Sequence, residues 1–86
     1  MYSVELSQNS AKFLEKIGMH ISDRIKERLK LLSVNPVPSD SKFITRDGSD
    51  KVFRIRIGDF RALYKTKDKE KIVLIAKIDK RPRVYQ

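Results

Sequence analysis

The chain has no cysteine, a single histidine (His20), and no apolar stretch near the roughly 20 residues that a membrane-spanning helix needs. Each shortage excludes something. Without cysteine there are no disulfides, no thiolate nucleophile and no cysteine-ligated zinc. One histidine gives no basis for a histidine-built metal site, and neither a metal nor a cofactor is expected. No basic segment followed by an apolar one opens the chain, which therefore reads as a soluble cytoplasmic protein with no membrane partner. At 86 residues the expectation is one domain over 1–86. A fold this small buries only about 60% of the surface its unfolded chain exposes, which limits it to two layers around one core.

Acidic residues are scarce where basic ones are dense. The net charge is +9, and residues 42–86 carry fourteen Lys/Arg against six Asp/Glu, whereas residues 1–41 carry six against five. Such asymmetry is the footprint of a polyanion partner or of a solvated lysine-rich surface.

Periodicity divides the chain into two parts. "MYSVEL" alternates as a short strand, with Tyr2, Val4 and Leu6 on one face. Ser7 offers an N-cap to a helix over about 9–17 that Gly18 stops. A second helix over about 21–32 carries Ile21, Ile25, Leu29 and Leu32 on one stripe and ends at Asn35-Pro36. The short link between them predicts a helical hairpin. "NPVPSDS" reads as a loop, and after Asp47-Gly48 the period becomes two: "KVFRIRI", a Gly58-Asp59 turn, "FRALYK", and then "IVLIAKI", apolar enough for a strand covered on both faces. The expected fold is α+β, a βααβββ chain with its N-terminal strand and helical hairpin packed on an antiparallel sheet.

The Gly58-Asp59 turn sets a register. Ile57 should pair with Phe60, Ile55 with Ala62 and Phe53 with Tyr64 on the face that meets the helices. The opposite face then puts Arg54 across from Leu63 and Arg56 across from Arg61. Like charges opposed in this way cost roughly a few tenths to 1 kcal/mol. A phosphate between them would relieve the conflict, and the planar, always-charged guanidinium suits bidentate phosphate contact. The plainer alternative is a solvated face whose charges discourage aggregation. "IDKRPRVYQ" adds Lys80, Arg81, Arg83 and Tyr85, the pairing of cation and ring that single-stranded nucleic acid requires. Asp79 reads as a counter-charge for Lys80 or Arg81, Lys65, Lys67, Lys69 and Lys71 as solvated, and His20 as a capping or surface residue.

"FRIRIGDFRALYK" followed by "KRPRVY", behind a strand and a helical hairpin, resembles the RelE/ParE toxin superfamily, and most of all its RelE branch. The resemblance spans the whole chain. It implies a compact sheet with a helical hairpin, a toxin of a type II toxin–antitoxin system that acts as a ribosome-dependent, metal-independent endoribonuclease on messenger RNA in the ribosomal A site, and a RelB-type antitoxin as partner. It further implies transition-state roles for Arg61 and Arg81 and base stacking for Tyr85. Arg54 and Arg56 stand where well-known members carry lysines, one of them a proposed general base. An arginine, with its pKa above 12, is a poor base, so the acid–base groups stay open.

The catalytic set expected on these grounds is Arg56, Arg61, Arg81 and Tyr85, with Arg54, Lys80 and Arg83 binding RNA. Two other functions fit the same features: a ParE-like toxin that binds a topoisomerase, and a noncatalytic basic RNA-binding domain.

Overall fold

The computed structural model describes residues 1–81. Strand β1 (Ser3–Leu6) is followed by helices α1 (Gln8–Lys16) and α2 (Met19–Lys30), a 3-10 turn (Leu31–Ser33), and strands β2 (Ser41–Asp47), β3 (Asp50–Ile57), β4 (Phe60–Lys67) and β5 (Ile72–Lys80). The five strands form one sheet in the order β1-β5-β4-β3-β2. No helix among the described residues is long and apolar enough to cross a membrane.

The helical hairpin follows from local chemistry. Ser7 caps α1 by accepting a hydrogen bond from the Ser10 amide at 3.1 Å. Gly18, at φ 89°, takes the left-handed turn that lets α2 start at once, two residues before the predicted start. Leu14, Ile25, Leu29 and Leu32 then meet Phe53, Ile55, Ala62, Tyr64, Val73, Ile75 and Ile78 on one face of the sheet. Burying each large side chain of this set is worth roughly 1.5–3 kcal/mol, which makes this layer the main support of a small fold. Ser10 is wholly buried, and its hydroxyl donates to the Ile75 carbonyl at 2.9 Å; this small, satisfied side chain lets α1 lie close on β5.

The predicted β3–β4 register is observed in full: Phe53 pairs with Tyr64, Ile55 with Ala62, Arg56 with Arg61 and Ile57 with Phe60. Gly58, at φ 60°, supplies the positive φ that a two-residue hairpin turn requires at its first central position.

Three features differ from expectation. The segment over 41–47, for which no strand was expected, forms the edge strand β2 and pairs with β3 through a second hairpin turned at Gly48. A register shift between Phe43 and Thr45 explains why alternation could not reveal it, since the extra residue at the bulge breaks the period of two. The sheet is mixed rather than wholly antiparallel, because β1 runs parallel to β5, Ser3 beside Ile72 through Leu6 beside Ile75. β5 is covered on one face only. Val73, Ile75 and Ile78 are buried, whereas Ile72 and Leu74 are half-buried on the side away from the helices. Its run of apolar residues reads as continuous because a second bulge, at Ala76, changes the phase of alternation midway.

The loop between α2 and β2 is tied at two points. Arg28 donates to both carboxylate oxygens of Asp40, at 2.8 and 2.9 Å, and the buried Tyr64 donates its hydroxyl to the Pro36 carbonyl at 2.8 Å. The Arg28 hydrogen bonds hold the Asp40 carboxyl below its ordinary value. Burial raises the Tyr64 phenol above its own.

Candidate nucleic-acid interface

With both helices on one side, the other face of the sheet is open, and the pleat assigns it the alternate residues of β3, β4 and β5. Two rows cross it. One runs Lys42–Arg54–Leu63–Lys77 over four strands, and the next runs Arg56–Arg61–Asp79 over three. Five basic side chains therefore stand on a small area with a single acid in the two rows. Beside them, Ser39, Asp40, Ser41, Lys42, Arg54 and Arg56 line an open cleft of about 360 Å³.

The opposition of Arg56 and Arg61 is as expected, but its neutralisation is not. Arg61 donates through Nε to Asp79 Oδ1 at 2.9 Å, with both side chains about one-third exposed. Asp79 thus partners Arg61 across β4–β5, and neither Lys80 nor Arg81 pairs with it among the described residues. The cause is the bulge at Ala76. The regular register of Tyr64 with Ile75, continued unbroken, would set Arg61 opposite Ile78; the extra residue advances the pairing so that Ile78 enters the core opposite Ala62 and Asp79 meets Arg61. Ser7 takes up the bulge's exposed polarity, its hydroxyl donating to the Ala76 carbonyl at 2.8 Å.

Arg81 approaches from the end of β5. Its amide donates to the Asp59 carbonyl at 2.7 Å, and its Nη1 donates to the Gly58 carbonyl at 3.2 Å, so it is anchored on the turn that joins the strands of Arg56 and Arg61. Arg54 lies one row further in. Lys80 pairs with Phe60, and the pleat turns it toward the helix side, away from the arginine rows. Arg83 and Tyr85 lie outside the described residues. His20 is exposed at the start of α2, consistent with a surface role. Of the lysines read as solvated, Lys65 pairs with Asp47, and Lys67 with Asp50 at 2.8 Å, pairs that brace the β2–β3 hairpin against β4. The Lys65 hydrogen bond lowers the Asp47 pKa, and the Asp50 hydrogen bond raises that of Lys67.

Lys42 and Lys77 did not stand out in the sequence. Lys42 reaches the face only through β2, and Lys77 only through the shifted phase after Ala76. Among the described residues, Lys42, Arg54, Arg56 and Lys77 have no acidic partner, which leaves their donors free for an anion such as a phosphodiester.

The sheet with a helical hairpin on one side is a fold shared with solved RelE toxins, and this chain belongs to the RelE/ParE toxin superfamily. Residues 4–85 match the family described as the ParE toxin of the type II toxin–antitoxin system parDE. The chain is 34% identical to the RelE1 protein of Methanocaldococcus jannaschii over 99% of its own length and 96% of that protein's. Among solved structures it is similar to a chain of the archaeal RelE–RelB complex from Pyrococcus horikoshii OT3, with a TM-score of 0.86 and 28% identity over 96% of this chain and 98% of that one. It also resembles a chain of the RelBE2 toxin–antitoxin complex from Mycobacterium tuberculosis, with a TM-score of 0.78 and 27% identity over 93% and 98%. The isolated RelE toxin of E. coli, 18% identical, shares the fold with a TM-score of 0.76 over 98% of this chain and 88% of that one.

Proposed function

We propose that this toxin is an endoribonuclease that cleaves messenger RNA in the ribosomal A site and is held inactive by a RelB-type antitoxin. The observation that carries the reading is the Arg56–Arg61 pair on an open sheet face, with Arg81 anchored on the turn between their strands. Three guanidiniums at one end of the sheet match the needs of a phosphodiester whose charge is growing.

In the reaction, the RNA 2′-oxygen forms a bond to the adjacent phosphorus while the bond from phosphorus to the 5′-oxygen breaks. This leaves a 2′,3′-cyclic phosphate and a free 5′-hydroxyl. Negative charge concentrates on the non-bridging oxygens as the two events overlap. Arg56, Arg61 and Arg81 donate hydrogen bonds to those oxygens, and fixed donors stabilise the transition state more than the ground state. Arg54, with Lys42 and Lys77 in its row, binds the flanking phosphates, and Tyr85 stacks on a base. The guanidiniums cannot take the 2′-proton near neutral pH, so proton transfer falls to another group or to water, and the ribosome supplies the in-line RNA geometry.

The antitoxin assignment rests on the similar chains solved as RelE–RelB and RelBE2 complexes. A segment with amphipathic helices and acidic residues would cover apolar surface and basic charge together.

The test maps messenger RNA ends on translating ribosomes with and without the purified protein. New 3′ ends within the A-site codon support the reading, and an unchanged pattern refutes it. The ParE description of the matching family favours a second reading, binding of a topoisomerase. Inhibition of DNA supercoiling by the protein, with messenger RNA left intact, would establish that reading instead. Expression without an antitoxin should arrest growth in either case.

A further inference from the structure

Asp79 is the one acid in the arginine rows, in a position where a negative charge opposes RNA binding. It contacts Arg61 through Nε alone. A guanidinium is a planar fork with Nε at one edge and two Nη groups beyond it. Among the described residues the Nη groups of Arg61 meet no acceptor. One edge is gripped and the other is presented.

We propose that Asp79 is a positioning residue for Arg61: it fixes the guanidinium by its Nε edge and leaves the Nη edge aimed at a phosphate shared with Arg56. The proposal rests on the nuclease reading above. An arginine side chain unconstrained beside the like charge of Arg56 would swing away from it, and ordering it would fall on the climb to the transition state. The carboxylate does that ordering in the folded chain. The Ala76 bulge, with Ser7 on its carbonyl, is the backbone device that puts Asp79 there. The added negative charge weakens ground-state attraction for RNA, so the benefit lies in the rate and not in affinity.

The experiment compares Asp79→Ala and Asp79→Asn with wild type in two readouts: single-turnover cleavage on programmed ribosomes at saturating toxin, and the Arg61 Nε–H signal in NMR spectra, assigned by its loss in Arg61→Lys. Asp79→Ala should slow saturated cleavage by roughly 10-fold or more through misplacement of the guanidinium. It should bind programmed ribosomes as tightly as wild type or tighter. Its Nε–H should exchange rapidly with water. Asp79→Asn keeps an acceptor oxygen without the charge, and should retain a protected Nε–H and cleave within about 3-fold of wild type. A merely structural role would lower rate and affinity together and would track the melting temperature.

The proposal is overturned if Asp79→Ala cleaves at the wild-type saturated rate, or if Asp79→Asn loses as much rate as Asp79→Ala while its Nε–H stays protected. A wild-type protein that cleaves no messenger RNA would sink the nuclease reading, and inorganic phosphate still tests the grip. Phosphate that shifts the Arg61 Nη signals while Nε–H stays protected supports it. Phosphate that abolishes Nε–H protection has displaced Asp79, and the grip is then refuted.

Discussion

Truncating Arg61 to alanine should separate chemistry from folding. The substitution removes the ion pair with Asp79, but both partners are about one-third exposed, so water replaces much of what is lost and the cost stays below about 1 kcal/mol. It also removes the like charge facing Arg56, a gain of a few tenths to 1 kcal/mol. The two effects oppose each other, and the melting temperature should move by no more than a few degrees. The transition state has no such compensation. Losing a fixed donor to developing phosphate charge should lower the single-turnover rate about 100-fold, or about 2.7 kcal/mol of barrier. The assay is cleavage on programmed ribosomes at saturating toxin, with binding measured separately. Arg61→Lys keeps a charge but loses the fork and the Nε contact, and should recover little of the rate. Wild-type cleavage by Arg61→Ala at saturation would refute the reasoning and reduce the arginine rows to a solvated face.

Arg54→Ala should chiefly weaken ribosome association and flatten its dependence on salt, by the ~0.7–0.9 of log-log slope that one phosphate contact contributes, and an unchanged slope would show that Arg54 does not meet RNA. Ile25→Ala, which opens space between α2 and the sheet, should destabilise the fold by about 2–5 kcal/mol in denaturant melts; a loss under 1 kcal/mol would contradict the placement of the core. Tyr64→Phe removes the hydrogen bond to the Pro36 carbonyl and should cost about 0.5–1.5 kcal/mol, read by the same melts. The pH dependence follows from Asp40 and Asp47, whose folded pKa values lie below the unfolded value of about 3.9 because Arg28 and Lys65 hydrogen-bond them. Their stabilisation is complete above that value and is lost as pH falls through the lower folded values, so the melting temperature should drop in that acid window. The double variant Asp40→Asn/Asp47→Asn should show a shallower drop, and parallel curves would mean that the pairs contribute nothing.

The sequence by itself determined the helical hairpin and the central β3–β4 ribbon, because both rest on short-range rules. Apolar spacing and Gly18 define the helices, and a two-residue turn at Gly58 leaves only one register for the strands beside it, so the meeting of Arg56 and Arg61 could be read directly. Tertiary structure decided what depends on bulges and on distant pairing. The irregularity in β2 hid an edge strand and with it Lys42. The parallel pairing of β1 with β5 joins segments separated by almost the whole chain, and no local pattern in either strand names its partner or direction. The role of Asp79 turned on a single residue: one extra position at Ala76 reverses which side chains of β5 face in, and a one-residue slip in a strand moves every later side chain to the other face. Sequence alone placed Asp79 beside the cations next to it in the chain, and only the folded sheet brought it to Arg61.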